Sequence, residues 1–480
     1  MIAVLETSTE YSVLVKRVRE VAASNSTRTA IAGPRTRLSY RELIDLVDTW
    51  AARLRTAAPG GVVALRVVDS TFLAPAFLAV RAAGLIPMLV DPHMPAVRRD
   101  AVLEAARPVW LMDVLEEPEL VRSIAPARQL RPDAGYLGFT SGTQGPPKGI
   151  VAHERGVLAF VEWEIDTLGI GPADRIAMIS PPTFEVVFRE LFVALCSGAE
   201  LVTADATVRA DPRAVLGWLA DQRISIAHAV PSLAMRWLAA TPDVSLDRLR
   251  WTVFAGEPLH AVQVDGWRGV APNSQIGNLY GPSETTLAKF WFPVPPDRQP
   301  GIQPVGRPLP GARLLPSDTI DGYFQVSIET PDGSFGYLDG TASAADQAAL
   351  SRTGDVTIFH SQDLATLDAQ GNLLIKGRKD SRVKRRGVFV DLGGVEEAAS
   401  KLPGVILAGC VQRGPEAGGT IVLCVETSAG TSANQLRREL ARTLGPESPD
   451  GIHTLPTLPL SANGKVDRRA LLTLVEERAA

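Results

Sequence analysis

The sequence predicts an α/β protein. A large N-terminal domain over residues 1–379 would hold two doubly wound α/β subdomains plus a small β-rich subdomain, and an α+β C-terminal domain would follow over 380–480. Three observations predict this. Short apolar runs alternate with amphipathic helical segments on both sides of a Gly/Ser/Thr-rich stretch at 140–149, which argues for parallel sheets covered on both faces. From Gly301 onward prolines, glycines and turn triplets such as Pro331-Asp332-Gly333 become frequent, the texture of short strands joined by turns. After Asp380 the chain reads as a compact α+β unit, with its clearest helix over 434–444 and its clearest strands over 406–411 and 421–425.

In chain order, Ser39 is a helix cap with Glu42 three residues on, the spacing of a capping box. Leu43, Val47, Trp50 and Leu54 then share one helical face. Residues 62–68 form a buried-type strand, 71–83 a helix, 85–90 a strand, 97–106 a helix and 109–112 a strand. The alternation resumes beyond the Gly-rich stretch, with strands expected over 175–179, 200–203, 224–230, 251–254 and 275–280.

Composition narrows the function classes. The chain has 480 residues, enough for several domains, and its 45% hydrophobic and 21% charged content is ordinary for a globular protein. A net charge of −4 gives no argument for nucleic acid or an anionic membrane as partner. Cys196, Cys410 and Cys424 lie in apolar runs without ligand spacing, so they read as core thiols of a reducing cytoplasm. No apolar run reaches membrane-spanning length, and the first residues lack the pattern of a signal peptide. The expected location is cytoplasmic.

The Gly-rich stretch carries the first chemistry. An apolar run, Tyr136 to Phe139, leads into Thr140-Ser141-Gly142-Thr143-Gln144-Gly145-Pro146-Pro147-Lys148-Gly149. Glycines let backbone N–H groups approach an anion, hydroxyls add donors, and Lys148 adds a positive charge. This is triphosphate-cradle chemistry, although a polar surface turn has similar composition. It is not a Walker loop, because Pro147 precedes the lysine and Gly149 follows it. A second stretch, Asn278-Leu279-Tyr280-Gly281-Pro282-Ser283-Glu284, ends a predicted strand, where ligands of open α/β sheets sit. Its aromatic ring can stack on a base and its carboxylate can hold Mg2+ against phosphates.

These stretches resemble the phosphate loop and the Tyr-Gly-Pro-Thr-Glu motif of the adenylate-forming superfamily, and in particular the adenylation domains of nonribosomal peptide synthetases. Gln144 and Ser283 each stand where the family has threonine. The resemblance implies that Thr140, Ser141, Gly142, Thr143 and Lys148 bind ATP phosphates. It implies that Asn278, Tyr280 and Gly281 line the adenine site, and that Glu284 binds Mg2+. Ala255-Gly256-Glu257 is similar to the family's Gly-Gly-Glu segment, so Gly256 and Glu257 join the nucleotide set.

Two aspartates compete for the ribose. Arg352-Thr353-Gly354-Asp355 looks like the family's Arg-Thr-Gly-Asp, but spacing selects another residue. In the family that aspartate precedes the arginine of Gly-Arg-x-Asp by fifteen residues, and counting back from Arg378 gives Asp363. Asp363 and Arg378 are therefore assigned to the ribose and phosphate. The same stretch implies a hinge at Asp380, about which a mobile C-terminal domain turns, and puts Gly387 beside a pantetheine tunnel. Arg385 replaces an apolar family residue, and Gly394 replaces a glutamate. Near the end, Asn463-Gly464-Lys465-Val466-Asp467-Arg468 matches the family closely, and Lys465 would bridge the substrate carboxylate and the α-phosphate. An ammonium there neutralises charge as a carboxylate oxygen attacks phosphorus, so Lys465 and Glu284 are the catalytic candidates.

The acyl pocket follows from the same alignment. Phe184-Glu185-Val186 aligns with a segment whose aspartate binds the α-ammonium of an amino acid, and Arg189 stands one helical turn on. A plain Glu–Arg ion pair is one reading. The other is a zwitterion site, with Glu185 on an ammonium and Arg189 forked on a carboxylate, as in domains that activate α-aminoadipate through its side chain. The remaining pocket positions are His228, Val253, Ala255, Leu279, Leu287 and Ala288. His228 would add a hydrogen bond and the apolar residues would contact a methylene chain.

The expected function is ATP·Mg2+-dependent adenylation of a carboxylic acid in natural-product (antibiotic) biosynthesis, the acid being an amino acid with a second carboxylate, aminoadipate- or glutamate-like, activated away from its zwitterion. Transfer to the thiol of a separate phosphopantetheinyl carrier protein would follow, with coenzyme A as the weaker acceptor. The alternatives are a ligase with a nitrogen or coenzyme A acceptor acting on an aryl or other small acid, and a non-catalytic nucleotide-binding homologue.

Overall fold

Ser39 starts the helix Tyr40–Leu54 by the expected reciprocal cap: its Oγ accepts from the Glu42 N–H at 3.3 Å, and its own N–H donates to Glu42 Oε2 at 2.7 Å. Leu43, Val47, Trp50 and Leu54 are buried, as their spacing predicts. Ser39→Ala should cost about 1 kcal/mol, read as a lower urea midpoint at unchanged slope. This computed structural model describes residues 12–478 apart from 116, 123–125, 141–146, 242, 316, 318, 321, 386–387, 415–418, 429–430 and 462–463.

Two large sheets share a central layer of helices. The nine-stranded sheet runs in the order Arg307–Pro308, Phe290–Val294, Gln275–Tyr280, Trp251–Ala255, Ile226–Ala229, Arg175–Met178, Glu200–Thr203, Thr29–Ala32, Arg37–Ser39. Its inner strands are parallel and both ends are antiparallel. The seven-stranded sheet runs Gly336–Tyr337, Lys148–His153, Ala134–Thr140, Ile86–Val90, Val62–Val67, Trp110–Val114, Pro118–Arg122. Alternation along a strand divides the cores. Val63 and Leu65 face the helices between the sheets, while Val62 and Ala64 face the outer helix Ala96–Ala106.

The structure differs from the expected separation into two blocks at two places. Thr29–Ala32 lies early in the chain yet pairs in parallel with Glu200–Thr203 of the other sheet. The Gly-rich stretch joins two antiparallel neighbours, Ala134–Thr140 and Lys148–His153. A parallel return needs a crossover of a dozen or more residues, and the stretch is too short to make one.

The β-rich part is a six-stranded sheet that includes Tyr323–Thr330, Val356–Leu367 and Leu373–Arg378. After it come the hairpin Arg382–Arg385/Val388–Asp391 and a three-stranded sheet of Val405–Arg413, Thr420–Thr427 and Gly451–Leu455. Helices Leu392–Ser400, Ala433–Leu444 and Arg468–Glu477 pack on that sheet.

Two helices of the central layer, Glu154–Leu168 and Val187–Ser197, bring charged groups into the main core. Glu190 is buried and accepts from the Ser180 N–H at 3.2 Å and its Oγ–H at 2.7 Å. Burial pushes its carboxyl from 4.5 up to about 8. The folded chain thus holds this proton more tightly than the unfolded chain. Its stabilising contribution is full below about pH 4.5 and is lost as pH rises through about 8. Glu190→Gln should flatten the fall of Tm across that window, and an unchanged profile would count against the assignment.

Candidate active site

The carboxyl ends of the strands Trp251–Ala255 and Gln275–Tyr280 position the nucleotide candidates. Tyr280 ends its strand with a half-buried ring, and its hydroxyl donates to Asp363 Oδ2 at 2.5 Å. Asp363 is the register partner of Arg378 across two antiparallel strands, with Arg378 Nη1 3.4 Å from Asp363 Oδ1. Asp355 lies elsewhere, at an exposed hairpin tip 3.5 Å from Arg155 and Arg352. Tyr280, Asp363 and Arg378 are therefore one cluster, which Asp355 does not join.

Asn278 donates through Nδ2 to the Pro304 carbonyl at 2.8 Å, and its buried Oδ1 has no partner. Gly281 is required by close approach. A Cβ there would meet the Leu287 carbonyl oxygen at 2.5 Å and the Ala288 Cα at 2.6 Å. Thr286 and Leu287 carry φ of 62° and 57°, backbone strain of the kind that gathers at functional sites.

Thr140 and Lys148 face each other at the mouth of their hairpin, and Ser141, Gly142 and Thr143 lie outside the described residues. Lys148 Nζ is 2.5 Å from Asp346 Oδ1, a residue of the short helix Ala344–Ala349. Glu284 lies in the turn Ser283–Thr285 and accepts from the Tyr337 hydroxyl at 2.7 Å. Mg2+ is held by one or two carboxylates together with substrate phosphates, so this lone carboxylate near the Lys148 hairpin suits it. Asp380 lies in the turn Lys379–Ser381, and Gly387 falls outside the described residues. Arg385, unusual against the family pattern, donates to the Ser448 carbonyl at 2.6 Å and so ties its hairpin to the loop before Gly451–Leu455.

Lys465 reaches this site from the C-terminal part. Gly256 has φ +94°, and a Cβ on it would stand 3.4 Å from Lys465 Cε and 3.8 Å from Phe184 Cζ. Ser232 Oγ donates to the Gly464 carbonyl at 2.7 Å, and Arg236 bonds Glu426 at 2.6 Å and the Leu458 carbonyl at 2.5 Å. Glu257 accepts from the Ser232 N–H at 3.1 Å. Burial lowers the Lys465 pKa, opposed by the charges of Glu257 and Asp363, while burial raises that of Glu257.

The acyl candidates line the sheet face beneath the two central helices. His228 pairs in register with Val253, and Ala255 with Leu279. Val253, Ala255, Leu279, Leu287 and Ala288 belong to one buried apolar cluster. Phe184, Glu185 and Val186 precede the helix Val187–Ser197, which carries Arg189. Glu185 and Arg189 form no ion pair. Glu185 accepts from the Tyr136 hydroxyl and from the Leu287 N–H at 3.3 Å, and burial pushes it up to about 7. Arg189 is 2% exposed, and among the described residues its Nε and Nη2 have no hydrogen-bond partner.

Three residues beside this pocket were not foreseen. Tyr136 was read only as strand. Lys289 is buried, and burial lowers its ammonium to about 8. Glu164, 1% exposed, lies within hydrogen-bond distance of His228 Nε2 at 2.8 Å. A signal for Glu164 existed in the sequence. In Glu154–Leu168 the buried stripe is Val157, Phe160, Val161, Glu164, Leu168, a carboxylate at an apolar position.

Comparison with known proteins identifies the family and the fold. The family model "AMP-binding enzyme" matches residues 18–135 and 116–319. Enterobactin synthase component F of Escherichia coli (strain K12) is 29% identical over 95% of this chain, and the match spans 38% of that protein. The chain thus spans about two fifths of that relative's length. Novobiocin biosynthesis protein H of Streptomyces niveus is 30% identical over 96% of this chain and 83% of its own. The crystal structure of IdnL7 superposes with a TM-score of 0.82 at 23% identity, covering 98% of this chain and 100% of that one. A four-domain nonribosomal peptide synthetase bound to AMP and glycine gives 0.81 at 20% identity, covering 96% and 36%. The chain belongs to the AMP-binding enzyme family, within the adenylate-forming superfamily, and is an enzyme of the AMP-forming ligase class.

Proposed function

We propose that the protein adenylates an amino dicarboxylic acid of aminoadipate or glutamate type at the carboxyl far from its zwitterion. The products are acyl-AMP and pyrophosphate, and the acyl group then passes to the thiol of a separate carrier protein. Arg189 carries this reading. A guanidinium is always charged and has five donors, and burying it with unmet donors is costly unless an anion arrives. A substrate carboxylate accepts two parallel N–H bonds from such a fork. The apolar residues Val253, Leu279 and Leu287 suit the methylene chain between the two ends of the acid.

At the reacting end, Lys465 faces the incoming carboxylate and the α-phosphate, and Asp363 and Arg378 hold the ribose. Mg2+, when bound at Glu284, neutralises phosphate charge. Division of the chain at Asp380, with a turn of the C-terminal part between the two half-reactions, belongs to the same proposal.

The test is substrate-dependent ATP–pyrophosphate exchange across aspartate, glutamate, α-aminoadipate, β-amino acids, common α-amino acids and aryl acids. Exchange with an amino dicarboxylate is expected. Exchange confined to aryl or monocarboxylic acids would sink the zwitterion site while keeping the adenylation chemistry.

A further inference from the structure

We infer that Glu164, together with His228, receives the ammonium of the substrate's distal zwitterion and is a specificity-determining residue of the pocket. This rests on the amino dicarboxylate reading and assigns the ammonium to a residue outside the aligned pocket positions. Three elements converge on one sheet face: Glu164 from the helix Glu154–Leu168, Arg189 from Val187–Ser197 and His228 from the strand Ile226–Ala229. Phe160, one helical turn before Glu164, lies under the Arg189 guanidinium at 5.9 Å, which sets Arg189 beside the Glu164 face of that helix.

The unmet polar atoms of these three side chains have matching chemistry. Arg189 has two donors without acceptors, Nε and Nη2. Glu164 Oε2 and His228 Nδ1 are buried acceptors without donors. Burial favours the neutral imidazole, whose Nε2–H then donates to Glu164 Oε1 and leaves Nδ1 with its lone pair. Burial alone would raise Glu164, and the His228 Nε2–H hydrogen bond and the Arg189 charge oppose that rise. A carboxylate acceptor and an imidazole lone pair beside a guanidinium complement an ammonium beside a carboxylate.

Glu185 is less suited to the ammonium. It already accepts from Tyr136 and from the Leu287 N–H, and its carboxyl is pushed up to about 7, so near neutrality it carries only part of a charge. Glu164 also explains why His228 is polar between apolar neighbours: its ring links the carboxylate to the sheet face.

The experiment compares ATP–pyrophosphate exchange with α-aminoadipate and glutamate against adipate and glutarate, which lack the amine. The readout is the ratio of kcat/KM for each amino acid to that of its deamino counterpart. A ratio within one variant does not depend on how much of the preparation is folded. In Glu164→Gln this ratio should fall about 10- to 100-fold, the worth of one charge-assisted hydrogen bond. The Glu185→Gln ratio should fall less. If wild type exchanges with amino dicarboxylates and Glu164→Gln leaves the ratio unchanged, or Glu185→Gln alone collapses it, the ammonium assignment is overturned while the substrate class stands. If wild type exchanges with no amino dicarboxylate, the substrate reading fails and this inference fails with it.

Discussion

Lys465→Ala is expected to lower kcat for substrate-dependent exchange by about 100- to 1,000-fold, the usual effect of removing one preorganised electrostatic stabiliser. The lysine is half-buried and its side chain lies beside Gly256. Burial alone would favour the neutral amine, and Glu257 and Asp363 oppose that by favouring the ammonium. Positive charge is needed as the anionic carboxylate approaches the anionic α-phosphate and charge moves onto the phosphoryl oxygens and the departing pyrophosphate. ATP binding should change far less, because Tyr280, Asp363 and Arg378 form a separate cluster on the large part of the chain. The check is exchange kinetics together with a direct ATP-binding measurement. A variant retaining more than a tenth of wild-type kcat would remove Lys465 from the chemistry.

The second large effect is at Arg189. Arg189→Ala should cost about 2–5 kcal/mol of transition-state binding for an amino dicarboxylate, at least a 30-fold fall in kcat/KM. Arg189→Lys should rescue little, because a point charge does not reproduce the planar fork. Substrate selectivity separates this from a structural role. Arg189 also offsets the buried Glu164 charge, so its truncation should lower Tm as well. Exchange with an amino dicarboxylate should nevertheless fall far more than exchange with an acid that lacks the second carboxylate. A large drop in Tm with proportionate loss of activity on every acid would assign Arg189 to the core instead.

Much of the candidate site was legible as motifs because its residues lie in contiguous stretches at strand ends. Tyr280 and Glu284 lie within five residues of each other, and Gly464 and Lys465 are adjacent. Asp363 was legible only through its distance from Arg378, and the register explains why that distance matters: the two residues are cross-strand partners. An insertion in the intervening turn would have hidden the relation. Glu164 and Lys289 belong to no such stretch, and Tyr136, which begins one, reads only as a strand residue. Their place beside the acyl candidates emerges only when helices and sheets from distant parts of the chain are packed together.

Local rules also misjudged one relation. Helical spacing suggested that Glu185 and Arg189 share a face and might pair. Glu185 instead stands before the helix begins, where its carboxylate turns to Tyr136 and the Leu287 N–H. That choice depends on the left-handed backbone at Thr286 and Leu287, which comes about a hundred residues later in the chain.

By itself the sequence determined the alternation of strand and helix, the cap at Ser39 and the contiguous stretches that carry the family resemblance. These depend on periodicity, short-range hydrogen bonding and contiguous motifs, all of which act within a few residues. Only the tertiary structure decided that Thr29–Ala32 joins the far sheet, that Arg189 Nε and Nη2 find no hydrogen-bond partner among the described residues, and that Glu164 meets His228 across 64 residues. Those outcomes depend on which faces are buried against each other, and burial removes the water that would otherwise satisfy each charge.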